Sequence, residues 1–145
     1  MEKIFIDTNI LIYATLENDP RFKRSLDLLT ADYGASGECF ISVQNLAEMY
    51  PNLTGSKMLH PDSPGTARDK IISIALLPSL TVLPVTAEIQ RKALDLCRNY
   101  GVVKQGYFDM QIVASMIHYG ITILLTENVS DFTHITEIEV RSPFQ

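Results

Sequence analysis

The stretch KIFIDTNILIY, residues 3–13, turns from one kind of structure to another within a few residues. Ile4, Phe5 and Ile6 form a continuous apolar run, the pattern of a strand covered on both faces. Asp7, Thr8 and Asn9 follow it, and all three are residue types that cap the start of a helix. A second such strand is ITILL, residues 121–125, followed by the turn Glu127-Asn128-Val129-Ser130-Asp131. Further short strand-like runs span Cys39–Ser42, Thr81–Val85 and Glu137–Val140, beside the one at Lys3–Ile6.

Helical patterns separate these runs. Asp19 before Pro20 signals a helix start, with Phe22, Leu26 and Leu29 on one face and Gly34 as the stop. Thr66 is the expected cap of a helix carrying Ile71, Ile74 and Ala75, ended by Pro78. Thr86 opens a helix with Ile89, Ala93, Leu96, Cys97 and Tyr100 on its stripe, and Gly101 closes it. A last long helix, Tyr107–Tyr119, turns Ile112, Val113, Met116 and Ile117 inward and ends at Gly120. The stretch Pro51–Gly65, rich in Pro, Gly, Ser and Asn, reads as a loop inside the domain. Strands alternating with helices predict right-handed crossovers. The expected fold is therefore one α/β domain over residues 1–145: three α/β/α layers around a mainly parallel sheet of about five strands.

The 145 residues suit one core. Twelve Lys and Arg against 17 Asp and Glu give a net charge of −5, the wrong sign for a general nucleic-acid coat, so any such contact has to be local. No run approaches the ~20 apolar residues of a membrane span. Residues 1–16 lack a leader's cleavage site, so a cytoplasmic setting is expected. Cys39 and Cys97 have no zinc-site spacing and read as small apolar residues. His60, His118 and His134 show no metal spacing, and no Gly-x-Ser-x-Gly elbow or Gly-rich phosphate loop is present. An aspartyl-phosphate phosphatase needs a second Asp where Asn9 stands.

In parallel sheets, ligands collect beyond the carboxyl ends of the strands. That rule selects Asp7 after the first strand and Asp131 after the ITILL strand. Asp109 lies in the first turn of the Tyr107–Tyr119 helix, where the macrodipole favours a carboxylate. Glu48 lies in a helix begun near Ser42, on the same side as Asn45. Each acid alone also reads as a cap, a turn residue or a solvated helix acid. Gathered together, they would repel one another by about 1 kcal/mol per pair at 4 Å even in water. A hard divalent cation, Mg²⁺ or Mn²⁺, is the natural counter-charge, and it suits phosphoryl chemistry.

The segments IFIDTNILIY, QNLAEMY, YFDMQIVASM and LLTENVSDF, in that order, resemble the four motif regions of PIN-domain endoribonucleases, especially the VapC-type toxins of toxin–antitoxin pairs. The resemblance implies a metal-dependent ribonuclease acting on single-stranded RNA, with Asp7, Glu48 and Asp109 as the first three acidic positions. It implies Thr8 and Asn9 shaping the first turn and Thr126 at the last strand's exit. Many relatives carry an acid where this chain has Asn128, leaving Asn128 or Asp131 for the fourth position. A homodimer and a protein antitoxin whose Arg or Lys enters the acidic groove are implied as well. RNA contacts are expected from Lys57, Arg68 and Lys70, or from Arg21, Lys23 and Arg24. Phe22, Met49, Tyr50, Leu53 and Met58 are candidates for an exposed apolar patch. Two other functions fit the same residues: a housekeeping RNA-processing nuclease, and a PIN-like binding or scaffold domain without turnover.

Overall fold

The computed structural model describes residues 2–30 and 37–145. Among them, five parallel strands form one sheet in the order β3-β2-β1-β4-β5. They are β1 (Glu2–Ile6), β2 (Gly37–Ser42), β3 (Leu80–Leu83), β4 (Ile123–Leu125) and β5 (Glu139–Arg141). The helices are α1 (Thr8–Tyr13), α2 (Phe22–Thr30), α3 (Val43–Thr54), α4 (Pro64–Ala75), α5 (Ala87–Tyr100) and α6 (Gly106–Tyr119). The chain runs from the central β1 outward to β2 and β3, then returns to build β4 and β5 on the other side. The direction of winding thus reverses between β1 and β4, where an open parallel sheet leaves a crevice at its carboxyl edge.

Alternation along β1 sorts the core into two layers. Ile4 and Ile6 pack with Ile10, Leu11, Leu29, Met49 and Leu53 on the face covered by α1 to α4. Phe5 points the other way, into Ile89, Ala93, Leu96, Met110 and Val113 of α5 and α6. This is the three-layer α/β/α arrangement that the continuously apolar strands require.

The caps explain where the helices begin and end. Thr86 accepts from the Ile89 N–H at 3.2 Å, and Gly101 and Gly120 close α5 and α6 at φ 66° and 70°, a left-handed conformation suited to glycine. The start of α4 corrects the expected Thr66 cap. Ser63 is the cap, accepting from the Thr66 N–H at 3.2 Å, and Pro64 occupies the first turn, where the N–H it lacks has no helical partner to lose. The expected loop over Pro51–Gly65 is also shorter than its composition suggested. Helix α3 continues through Pro51 to Thr54. The carbonyl that Pro51 leaves without a partner belongs to Ala47, on the exposed side of the helix, where water can serve it.

All five strands differ at an end from expectation, β1 starting one residue earlier at Glu2 and β2 two earlier at Gly37. β3 stops at Leu83 because Pro84 has no N–H for the ladder. β4 begins at Ile123, since the Ile121 N–H is turned back to the Met116 carbonyl at 2.8 Å and finishes the helix. β5 is Glu139–Arg141 rather than Glu137–Val140, with the Glu139 N–H bonded to the Thr122 carbonyl at 2.7 Å.

On α2, Ser25, Leu28 and Leu29 are buried, while Phe22 and Leu26 are half-buried; Gly34 lies outside the described residues. The apolar patch is corrected too. Met49 and Leu53, one helical turn apart, are fully buried against the sheet, Met58 packs at the core's margin, Phe22 is half-buried, and Tyr50 faces outward. Cys39 lies in the core as expected.

Candidate active site

Asp7 ends β1 beside β4, and its own N–H extends the ladder to the Leu125 carbonyl at 3.0 Å. Its side chain caps α1, with Oδ1 accepting from the Thr8 N–H at 2.8 Å. The other oxygen accepts from the Thr126 hydroxyl at 2.8 Å and the Asn9 amide at 3.4 Å. Capping and site-building are thus compatible roles for one carboxylate. Burial raises the Asp7 pKa above its ordinary value; the Thr126 and Thr8 bonds pull the other way, and the nearby charge of Asp131 adds to the rise.

Thr126 and Asn9 knit the end of β4 to this turn. The Asn9 amide also donates to the Thr126 hydroxyl at 3.3 Å, and its oxygen accepts from the Glu127 N–H at 3.3 Å. The Asn128 N–H reaches the Thr126 hydroxyl at 3.1 Å, whereas the Asn128 side chain faces solvent. Asp131 is exposed in a single turn of 3-10 helix, Val129–Asp131.

Glu48 arrives from α3, held one turn inside a helix whose start is fixed by Asn45. The Asn45 side-chain oxygen accepts from the Ser42 N–H at 2.8 Å, and its amide donates to the Thr8 hydroxyl at 3.1 Å. One fully buried amide thereby joins α3 to the turn after β1. The Glu48 pKa is pushed up to about 7, first by burial, then by the charges of Asp7 and Asp109, against hydrogen bonds from Gln44 and Thr8. Asp109, in the first turn of α6, is pushed up to about 6 by burial and by Asp7 and Asp131.

The four acids are therefore close enough to act on one another's charge. Among the described residues, no three His, Cys, Asp or Glu side chains close around a single point, and no Lys, Arg or His pairs with Asp7, Glu48 or Asp109. An all-oxygen donor set with unbalanced negative charge fits a hard cation that keeps part of its water shell.

The expected basic contacts are not equally placed. Arg21 stacks on the Tyr13 ring at 3.8 Å and pairs with Asp19 at 2.9 Å and Glu127 at 2.6 Å, while Tyr13 also donates to Glu127. Its charge serves to hold the turn carrying Glu127 and Asn128. Lys23 pairs with Asp27 at 3.3 Å, and Arg24 donates to the Pro143 carbonyl at 3.1 Å. Lys70 pairs with Asp62 at 2.9 Å and Arg68 with Asp69 at 3.1 Å, whereas Lys57 stands exposed beside a groove bounded by Pro51, Asn52 and Gly55.

A larger groove of about 530 Å³ opens beside Glu48, lined by Val43, Gln44, Pro51, Phe108 and Gln111 among others. The sequence did not single out Gln44, Gln111 or Tyr107, and the one signal it carried was the helical spacing of Gln44 and Glu48.

A parallel α/β/α sheet with acids at the carboxyl end of its central strand is the layout expected of a PIN domain. The chain belongs to the PIN-domain family, which its residues 4–137 match. No curated protein matches the sequence. Among solved structures, it is similar to VapC20 of Mycobacterium tuberculosis, a Sarcin-Ricin loop cleaving toxin, at 21% identity and TM-score 0.69, over 95% of this chain and 98% of that one. VapBC-1 from nontypeable Haemophilus influenzae matches at 21% identity and TM-score 0.64 over 99% of both chains. VapBC2 from Rickettsia felis, bound to a DNA fragment from its promoter, matches at 20% and 0.65 over 97% of this chain and 98% of that one. At these identities the likeness is one of fold. No helix among the described residues is long and apolar enough to cross a membrane.

Proposed function

We propose that the chain, read as one PIN domain over residues 1–145, is a metal-dependent endoribonuclease that hydrolyses phosphodiester bonds of single-stranded RNA. The observation that carries this reading is the set of unneutralised carboxylates, Asp7, Glu48 and Asp109, held at the sheet's carboxyl edge in a PIN-family fold. Asp7 and Asp109 would hold Mg²⁺ or Mn²⁺, with Glu48 at its margin and Asp131 and Asn128 reaching its water shell. When bound, the cation polarises the phosphoryl oxygen and stabilises the leaving group.

Thr8, Asn9 and Thr126 fix the Asp7 carboxylate. Glu48, with a pKa near neutrality, holds the attacking water and takes its proton. Lys57, Arg68 and Lys70 are the proposed RNA contacts. Asp7→Asn tests the assignment: Mg²⁺-dependent RNA cleavage is expected to vanish while circular dichroism stays unchanged, and undiminished cleavage would sink it.

The VapC neighbours, several solved with antitoxins, support the role of toxin in a toxin–antitoxin pair. A ribonuclease active in its own cytoplasm must be blocked, and an antitoxin Arg or Lys entering the acidic groove would replace the cation's charge. The homodimer belongs to the same reading. The exposed Asn128, where many relatives of the resemblance carry an acid, favours a non-catalytic scaffold as the second reading. No rise in melting temperature with millimolar Mn²⁺, together with no cleavage, would select it.

A further inference from the structure

We infer that Gln44 is a positioning residue for Glu48, setting that carboxylate against the first turn of α6 through a one-directional chain of side-chain hydrogen bonds. The inference rests on the reading of Glu48 as the group that handles the attacking water. Gln44 is 6% exposed, on the wall shared by α3 and α6. Its amide nitrogen uses both protons, donating to Glu48 Oε1 at 3.0 Å and to the Phe108 carbonyl at 2.8 Å. Its oxygen accepts from the Gln111 amide at 2.8 Å, and the Gln111 oxygen accepts from the Tyr107 hydroxyl at 2.7 Å.

The chemistry of the partners fixes the direction of this chain. A carboxylate and a carbonyl accept only, so the Gln44 nitrogen has to face them, and a flipped amide would set oxygen against two oxygens. Gln111 holds the Gln44 oxygen, which prevents the flip, and Tyr107 holds Gln111 in turn. The acceptor Phe108 immediately precedes Asp109 in the chain, so one amide links Glu48 on α3 to the backbone that carries Asp109 on α6. Glu48 Oε1 is engaged by Gln44, and the carboxylate is also bonded by the Thr8 hydroxyl. Without Gln44, the Glu48 side chain regains rotamers beside a groove of about 530 Å³, held there by the Thr8 hydroxyl.

The test compares wild type, Asp7→Asn, Gln44→Met and Gln44→Glu. Met keeps the length and packing of Gln44 without its donors, and Glu places an acceptor against the Glu48 carboxylate and the Phe108 carbonyl. Supporting outcomes for Gln44→Met are a roughly 10- to 100-fold loss in kcat at saturating Mn²⁺ and RNA, with KM for RNA within threefold. Gln44→Glu is expected to lose more. Mn²⁺ affinity measured by calorimetry without RNA supplies a readout apart from turnover and is expected to weaken severalfold in Gln44→Met.

A kcat within twofold of wild type, a loss carried by KM alone, or an unchanged Mn²⁺ affinity would each overturn the inference. If Gln44→Met does not fold, Gln111→Met takes its place, leaving Gln44 in position but unanchored, with an expected loss of about three- to tenfold in kcat; no loss overturns the inference. Asp7→Asn separates the two levels. Full activity in that variant overturns the nuclease assignment and this inference with it, whereas an inactive Asp7→Asn beside a fully active Gln44→Met overturns the positioning role alone.

Discussion

Removing divalent cations and raising the pH from 5 to 7.5 is expected to lower the stability of this protein, the opposite of what most carboxylates do. In the folded chain the Glu48 pKa stands at about 7 against an ordinary 4.5, and that of Asp109 at about 6 against 3.8. Between about pH 4.5 and 7 the folded state therefore binds more protons than the unfolded one, and stability falls as pH rises through that window. At about 1.4 kcal/mol per pH unit the two displacements would amount to several kcal/mol in a closed interior. Both groups reach solvent, so screening leaves roughly 2 kcal/mol. For a chain of this length that is a fall of about 5 °C in melting temperature.

Asp19 and Glu137 are held below their usual range by Arg21 and Tyr100 and lose their contribution only at lower pH, outside this window. Calorimetry in chelator at pH 5, 6, 6.5 and 7.5 reads the slope directly. Glu48→Gln is expected to remove part of it, the rest being carried by Asp109 and by Asp7, whose pKa burial also raises. Mn²⁺ at roughly a hundred times its Kd would return about 2.7 kcal/mol at pH 7.5 and much less at pH 5, where protons compete. A melting temperature that is flat or rises from pH 5 to 7.5 in chelator would refute the crowding of carboxylates on which the site is built.

Thr126→Val leaves the buried Asp7 carboxylate without its shortest side-chain donor and is expected to cost about 1–3 kcal/mol in denaturant titration; a neutral effect would show that the Thr126 bond is dispensable. Lys57→Glu is expected to weaken RNA binding and to make log K against log[salt] shallower by about 0.7 for each phosphate no longer neutralised, and an unchanged slope would remove Lys57 from the RNA path. Lys70 calls for the milder Lys70→Gln, because a reversed charge there would face Asp62. Light scattering at micromolar concentration is expected to give twice the chain mass of 16.3 kDa, and a mass of one chain persisting on concentration would defeat the homodimer.

The sheet was legible because its signals are local and strong. Three residues of unbroken apolarity in β1 and β4 require cover on both sides, and the observed core puts Ile4 and Ile6 on one face and Phe5 on the other. Gly101, Gly120 and Thr86 were readable for the same reason, since the glycines close helices through their backbone and Thr86 opens one through its hydroxyl. Composition misled where competing signals stood side by side. Pro51 suggested a break, yet an exposed carbonyl made its missing N–H tolerable within α3. Thr66 looked like a cap because it is a capping residue, but Ser63 before Pro64 is the stronger combination.

Asp7, Asp109 and Asp131 could be picked as candidates from the sequence because strand ends and helix starts meet at one edge whatever the intervening residues are, whereas Glu48, in the middle of α3, was picked by helical spacing and the resemblance. What orients those acids could not be chosen so, because it depends on packing between elements distant in the chain. Asn45 and Thr8 are 37 positions apart and Gln44 and Gln111 are 67, and Thr8, Asn9 and Thr126 entered the sequence reading only through the family resemblance. Nothing local marks an amide as a link rather than a solvated side chain until α3 and α6 are docked. The same holds for Arg21, which as a sequence feature is one more cation for RNA, and in the fold is committed to Glu127 and Tyr13. Charge in this protein thus divides by depth. The carboxylates at the sheet's edge are left unbalanced, and several of the outer cations are paired with neighbouring acids. On the proposed reading, a chain of net charge −5 would have to attract RNA through a cation held by its acids and through the few basic side chains, Lys57 first among them, that pair with no acid among the described residues.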